Sequence, residues 1–176
     1  PAALNYPTID VTEMFESTEN WSTNSGNMYE GVNKISFEQV DLAIFNGNTY
    51  GDGLFDFKMS LDQQAMWPGF CFRNTYNEGI TENNSFYLIC FANSGIELQR
   101  YNGEVRTSLY CNLLPNERIG PTHPMILEAG RTYHVQAGAF TEEDGVRIIL
   151  NIDGVNIMNY LDEAENRIED EGYFGL

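Results

Sequence analysis

Few side chains here could carry chemistry: two histidines, three cysteines, and a large stock of 26 Asp and Glu. His123 sits in the stiff loop Pro121-Thr122-His123-Pro124, and His134 alternates with Tyr133 and Val135, which puts it on the non-core face of a strand. Neither has a Cys or His three or four positions away, the spacing by which zinc ligands converge, so no zinc site is expected. Cys71, Cys90 and Cys111 are odd in number and widely spaced, which reads as buried thiols rather than a disulfide framework or a metal knuckle. No GxSxG elbow supports a serine nucleophile. Gly51-Asp52-Gly53 leads into a strand and carries an acid, the wrong charge for a phosphate cradle.

Paired carboxylates come next, because glycosidases work with two of them about 5 to 10 Å apart. Sandwich-fold glucanases set such acids at alternate positions of one strand, among apolar residues. The nearest run, Asp162-Glu163-Ala164-Glu165, lacks that alternation and reads as a loop. Catalysis is therefore not expected, and a hydrolase or lyase is the alternative.

A different chemistry suits the remaining residues. Sugar rings have apolar faces and polar rims, so sites for them combine an aromatic platform with planar hydrogen-bonding groups. Trp67, Tyr76, Tyr101 and Tyr110 lie in or beside loops, among many Asn and Gln. In Trp67-Pro68-Gly69-Phe70-Cys71-Phe72-Arg73-Asn74, strand parity sends Phe70 and Phe72 to the core and Cys71 and Arg73 to the other face. If the following hairpin is the neighbour, Glu97, Gln99 and Tyr101 share that face, and Arg73 pairs with Glu97. The expected carbohydrate-binding set is Trp67, Arg73, Tyr76, Glu97, Gln99 and Tyr101.

The elements that must hold these residues are strands. Phe55 to Leu61 and Tyr133 to Ala137 alternate with period two, and helical periodicity is nearly absent. Asp153-Gly154 predicts a two-residue type I′ turn that sets Ile152 against Val155 and Leu150 against Ile157. A four-residue loop, Ala92 to Gly95, sets Phe91 against Ile96 and Ile89 against Leu98. Further strands are expected at Ile35 to Phe37, Leu42 to Phe45, Phe70 to Arg73 and Tyr173 to Leu176, near ten in all. Turns fall at Asn46-Gly47, Gly51-Asp52-Gly53 and Asn102-Gly103, and the one helical turn at Asp162 to Arg167. This spacing favours an all-β, two-sheet antiparallel sandwich, with residues 1–176 as one domain.

Nine Lys and Arg against 26 acids leave a net charge of −17, which repels phosphate backbones and anionic headgroups. Nucleic acid and membrane are not expected partners, and no apolar run approaches the roughly 18 residues of a membrane span. The acidic runs Glu142-Glu143-Asp144 and Asp162 to Glu171 read as solvated faces. A neutral or cationic glycan suits this charge; an acidic one would need a basic spot such as Arg73 with Arg100 or Arg106.

Several short segments occur in a telling order. They are Trp21-Ser22 after Phe15, Gly53 to Met59, Gly69 to Arg73, Phe86 to Ile89, Ile96 to Gly103, Val146 to Gly154 and Gly172-Tyr173-Phe174-Gly175-Leu176. From about Phe15 onward the chain resembles the concanavalin A-like and laminin-G-like jelly-roll superfamily. It is most similar to family 66-type carbohydrate-binding modules of secreted bacterial polysaccharidases. The resemblance implies a non-catalytic, extracellular, polysaccharide-binding module attached to a larger secreted enzyme, often with a structural Ca2+ whose ligands no loop here spells out. A laminin-G-like adhesion domain that binds protein is a further alternative.

Overall fold

The computed structural model describes residues 6–23, 25–32, 34–38, 42–61, 68–75, 84–92, 95–113, 118–119 and 126–176. Fifteen strands are described: β1 (Thr8–Asp10), β2 (Trp21–Thr23), β3 (Asn27–Gly31), β4 (Lys34–Glu38), β5 (Ala43–Tyr50), β6 (Gly53–Ser60), β7 (Gly69–Asn74), β8 (Ser85–Ala92), β9 (Gly95–Asn102), β10 (Val105–Leu113), β11 (Arg118–Ile119), β12 (Thr132–Glu142), β13 (Gly145–Ile152), β14 (Val155–Asp162) and β15 (Gly172–Gly175). A 3-10 turn covers Thr12–Phe15. The five beyond the expected ten are β1, β2, β3, β10 and β11, of which β1, β2 and β11 are too short to show a period of two.

The strands form an eight-stranded sheet, ordered β11-β10-β9-β8-β7-β15-β5-β2, and a five-stranded sheet, ordered β1-β6-β12-β13-β14, with β3-β4 as a separate hairpin. Every pairing is antiparallel except β1 with β6. The two large sheets make the expected sandwich.

Its core is what period-two patterning requires. Phe70, Phe72, Tyr87, Ile89, Phe91, Ile96 and Leu98 of the large sheet meet Phe55, Phe57, Tyr133, Val135, Ala137, Val146, Ile148, Leu150 and Ile152 of the smaller one. Aromatic rings run through the middle: Phe55 lies 4.7 Å from Phe174, and Trp21 meets Phe174 edge-on at 5.5 Å, interplanar angle 86°. Such offset and edge-on contacts suit the ring quadrupoles better than face-to-face stacks.

Both hairpins form, each with one adjustment. Asp153 and Gly154 take the positive φ of a type I′ turn, 49° and 75°. Ile152 pairs with Val155 as expected, but Leu150 pairs with Met158 rather than Ile157, because a bulge lies between Leu150 and Asn151. The extra residue turns Met158 into the core. Asn156 closes the bulge, its Nδ2 donating to Leu150 O (3.4 Å), Asn151 Oδ1 (3.0 Å) and Met158 O (2.9 Å). In the other hairpin Phe91 faces Ile96 and Ile89 faces Leu98, and pairing extends to Ala92 with Gly95, so the connection is shorter than expected.

One turn expectation is corrected. Asn46-Gly47 does not interrupt the chain, which continues as β5 through Tyr50. There the Phe45 ring folds over Gly47, where a Cβ would sit 2.4 Å from Cε1 of that ring. Asp162 to Arg167 carries a single turn, as expected, closed by Arg167 N donating to Ala164 O (3.1 Å).

Candidate functional site

β9 divides its side chains cleanly. Ile96 and Leu98 enter the core, and Glu97, Gln99 and Tyr101 point to the outer face of the eight-stranded sheet. Pairing carries this face to both sides: Cys90, Leu88 and Phe86 of β8 lie opposite Glu97, Gln99 and Tyr101, and Ser108 and Arg106 of β10 lie opposite Gln99 and Tyr101. A bulge between Ser108 and Tyr110 then lets both Leu109 and Tyr110 reach the core.

The face has an apolar half and a polar half. Ile44, Cys71 and Phe86 are buried in a second cluster with Leu42, against which Leu88, Tyr101 and Tyr173 pack. Tyr101 marks the seam: its ring stacks on Phe86 at 4.6 Å and 9°, and its hydroxyl donates to Gln99 Oε1 at 3.0 Å. Glu97 accepts from Ser108 Oγ at 2.7 Å. Glu97 and Gln99 are buried, at 6% and 2% exposure, while Arg106, in register with Tyr101, is exposed.

The electrostatics join these groups. Burial pushes the Cys90 thiol up to about 12, the Glu97 carboxylate adds to the rise, and Arg106 opposes it. Burial also raises the Tyr101 phenol, again with Arg106 opposing. Arg106 forms no salt bridge among the described residues, whereas Arg73, Arg100, Arg131, Arg147 and Arg167 each do.

Arg73 is placed elsewhere than parity predicts. Its φ is 54°, a left-handed conformation that breaks the alternation at the end of β7. The side chain is 1% exposed and turns away from Glu97. Nη1 donates to Ile168 O (2.8 Å) and Glu169 O (3.0 Å), and Nη2 to Asp52 Oδ1 (2.6 Å) and Thr141 Oγ1 (3.1 Å). The expected Arg73–Glu97 pair is replaced by Arg73–Asp52. Next to it Gly172 approaches so closely that a Cβ on it would lie 2.4 Å from the Arg73 carbonyl carbon.

Arg100 is also turned inward. Its Nη1 donates to both oxygens of Asp162, at 2.7 and 2.6 Å, and the Tyr87 hydroxyl donates to Asp162 Oδ2 at 2.8 Å. Asp162 is therefore buried rather than part of a solvated run; Glu163, Glu165, Glu169, Asp170 and Glu171 are exposed as expected. Trp67, Tyr76 and His123 lie outside the described residues. Glu97, Gln99 and Tyr101 thus come together, joined by Arg106 and Ser108. The signal for those two was the Asn102-Gly103 turn, which sets β10 beside β9 and continues the same parity.

Among the described residues no group of three His, Cys, Asp or Glu side chains is placed to hold a metal ion. Asp52 and Asp162 are engaged by Arg73 and Arg100. Also among the described residues, no helix is long and apolar enough to cross a membrane.

No protein-family model matches the chain, and no curated protein sequence matches it. Among solved structures, the carbohydrate binding module CBM66 from Bacillus subtilis is similar, with a TM-score of 0.61 and 12% identity, over 89% of this chain and 85% of that one. At that identity the likeness establishes the fold, and the β-sandwich is common to both.

Proposed function

We propose that this chain binds carbohydrate on the outer face of its eight-stranded sheet, as a non-catalytic module that holds an attached enzyme on an extracellular polysaccharide. One observation carries the reading. The Tyr101 ring, backed by Phe86 at 4.6 Å, shares one sheet face with the buried Glu97 and Gln99 and with the exposed Arg106 in register beside it. An aromatic plane beside an acceptor, an amide and a guanidinium fork is the combination that grips a sugar's apolar face and its hydroxyls together. The similar fold of a module whose name states carbohydrate binding supports the same reading. Trp67 and Tyr76, which precede and follow β7 in sequence, belong to the proposal as further aromatics. Tethering would raise the local concentration of the attached enzyme on its substrate even at modest affinity.

The test is affinity electrophoresis through gels containing xylan, mannan, dextran or mixed-linkage β-glucan. The parent is retarded in at least one gel, and Gln99→Ala, Tyr101→Ala and Arg106→Ala each weaken retention by roughly tenfold or more, as loss of a buried or charge-assisted hydrogen bond would. Parent-like retention by all three variants excludes this face. Retention abolished by EDTA points to a bound cation rather than these side chains as the organiser of the site. Turnover of any of the four polymers excludes the non-catalytic reading.

A further inference from the structure

The β5–β6 turn, strand β12 and the loop between β14 and β15 meet around one buried side chain. Arg73 is 1% exposed, and its two Nη groups face four oxygens: Asp52 Oδ1 at 2.6 Å, Ile168 O at 2.8 Å, Glu169 O at 3.0 Å and Thr141 Oγ1 at 3.1 Å. One is a carboxylate oxygen, two are main-chain carbonyls and one is a hydroxyl. They come from three segments far apart in sequence, at 52, 141 and 168–169. Because both Nη groups belong to one planar guanidinium, the four oxygens border a single site.

The site matches the charge of the guanidinium better than its shape. A planar fork suits a carboxylate that takes two parallel N–H bonds. Here Asp52 meets the fork through Oδ1 alone, an oxygen that also accepts from Thr141 N at 2.9 Å. Nε is buried without a hydrogen-bond partner among the described residues. Each oxygen makes one contact with the positive end of the side chain, as ligands do around a metal ion. The donors are also of that kind, since Ca2+ takes hard oxygen ligands in a flexible geometry, about six to eight of them with water completing the shell. Burial disfavours the charge on Arg73, and Asp52, followed by Glu169, works against that cost. Glu169 is in turn held by Arg167 at 2.6 Å, which leaves Asp52 as the carboxylate given over to the cage. Arg73 stands there with a left-handed φ of 54°, unfavourable for a residue that carries a Cβ.

We infer that Arg73 does the work of a structural metal ion at this end of the sandwich: its guanidinium fills an all-oxygen cation site, and removing it turns that site into one for Ca2+. The Ca2+ expected from the family resemblance does not fit here while the guanidinium stands in the cage. The three segments are joined by a cation that no chelator can remove, whether or not the large sheet binds carbohydrate.

Thermal unfolding of chelator-treated, desalted protein, with and without CaCl2, tests this. Without metal, Arg73→Ala unfolds at a lower temperature than the parent. In about 5 mM CaCl2 its Tm rises by roughly 5 °C more than the parent's does, as a ligand bound only by the folded state requires. Mg2+ gives a smaller rise, because it demands a tight octahedral shell. Adding Asp52→Ala to Arg73→Ala removes the extra rise, whereas adding Glu143→Ala, which alters an exposed acid outside the cage, leaves it in place. If Arg73→Ala does not fold without metal, refolding in CaCl2 recovers it. The assignment is overturned if Arg73→Ala responds to CaCl2 no more than the parent, if it fails to refold with and without Ca2+, or if the extra rise survives Asp52→Ala.

Discussion

Arg73 makes four hydrogen bonds through one buried guanidinium, and they tie three parts of the chain together: the loop after β14, the Asp52 turn and Thr141 of β12. Burial lowers its pKa, with Asp52 opposing. Removing the side chain leaves the Ile168 and Glu169 carbonyls without this donor, while Asp52, half exposed, keeps its bond from Thr141 N, so Arg73→Ala should cost about 1 to 3 kcal/mol. Asp52→Ala instead leaves the buried guanidinium without its counter-charge and should cost more, about 3 to 5 kcal/mol. Urea unfolding of both variants checks the order, and an Arg73→Ala variant as stable as the parent contradicts the assignment. Sequence revealed that Arg73 was unusual but not where it pointed. Parity holds only while φ stays extended, and the residue that takes the left-handed turn here packs against Gly172, ninety-nine positions later.

At the scale of elements, β15 is the test of how tightly the large sheet closes. It lies between β7 and β5, though nearly a hundred residues separate it from β7 in sequence. Gly172 and Gly175 permit this approach: a Cβ on Gly172 would meet Asn74 N at 2.6 Å, and one on Gly175 would meet Ala43 O at 2.4 Å. These obstacles are backbone and cannot rotate away, so Gly172→Ala should destabilise by about 2 kcal/mol or more, within the range seen for overpacking. Gly154→Ala is the comparison, since nothing lies within 4 Å of its Cβ and only the cost of its φ of 75° applies, about 1 kcal/mol. Thermal unfolding ranks the two, and a reversed order is evidence against close packing at β15. The hairpins themselves were legible, because Asp153-Gly154 and the flanking alternation are local signals. The bulge at Asn156 was not: the side chain that closes it makes its bonds only after the strands pair.

The whole molecule carries 26 acids against nine Lys and Arg, and self-repulsion opposes its compact state. Raising salt from about 10 mM to 0.1 M shortens the screening length from roughly 30 to 10 Å. The expected gain is about 1 kcal/mol, or roughly 2 to 4 °C in Tm. A Tm independent of salt argues that the charge is locally compensated. Alkaline pH acts in the other direction. Burial pushes Cys71, Cys90 and Tyr110 up to about 12 in the folded chain, from ordinary values of 9.0 for the thiols and 10.0 for the phenol. The unfolded chain ionises first, so this stabilisation is complete below pH 9 and declines as pH rises from there toward 12. Urea midpoints at pH 8, 9.5 and 11 should therefore fall, and fall less steeply in a Cys71→Ala variant measured against its own value at pH 8.

By itself the sequence determined the class of fold, the two hairpins and the face on which Glu97, Gln99 and Tyr101 lie, because alternation and turn residues act over a few positions. Tertiary structure decided which arginine shares that face. Arg73 and Arg100 were drawn inward by Asp52 and Asp162, partners 21 and 62 positions away, while Arg106 stayed exposed beside Tyr101. A buried charge goes to the partner that can satisfy it, and only the folded chain brings those partners within reach.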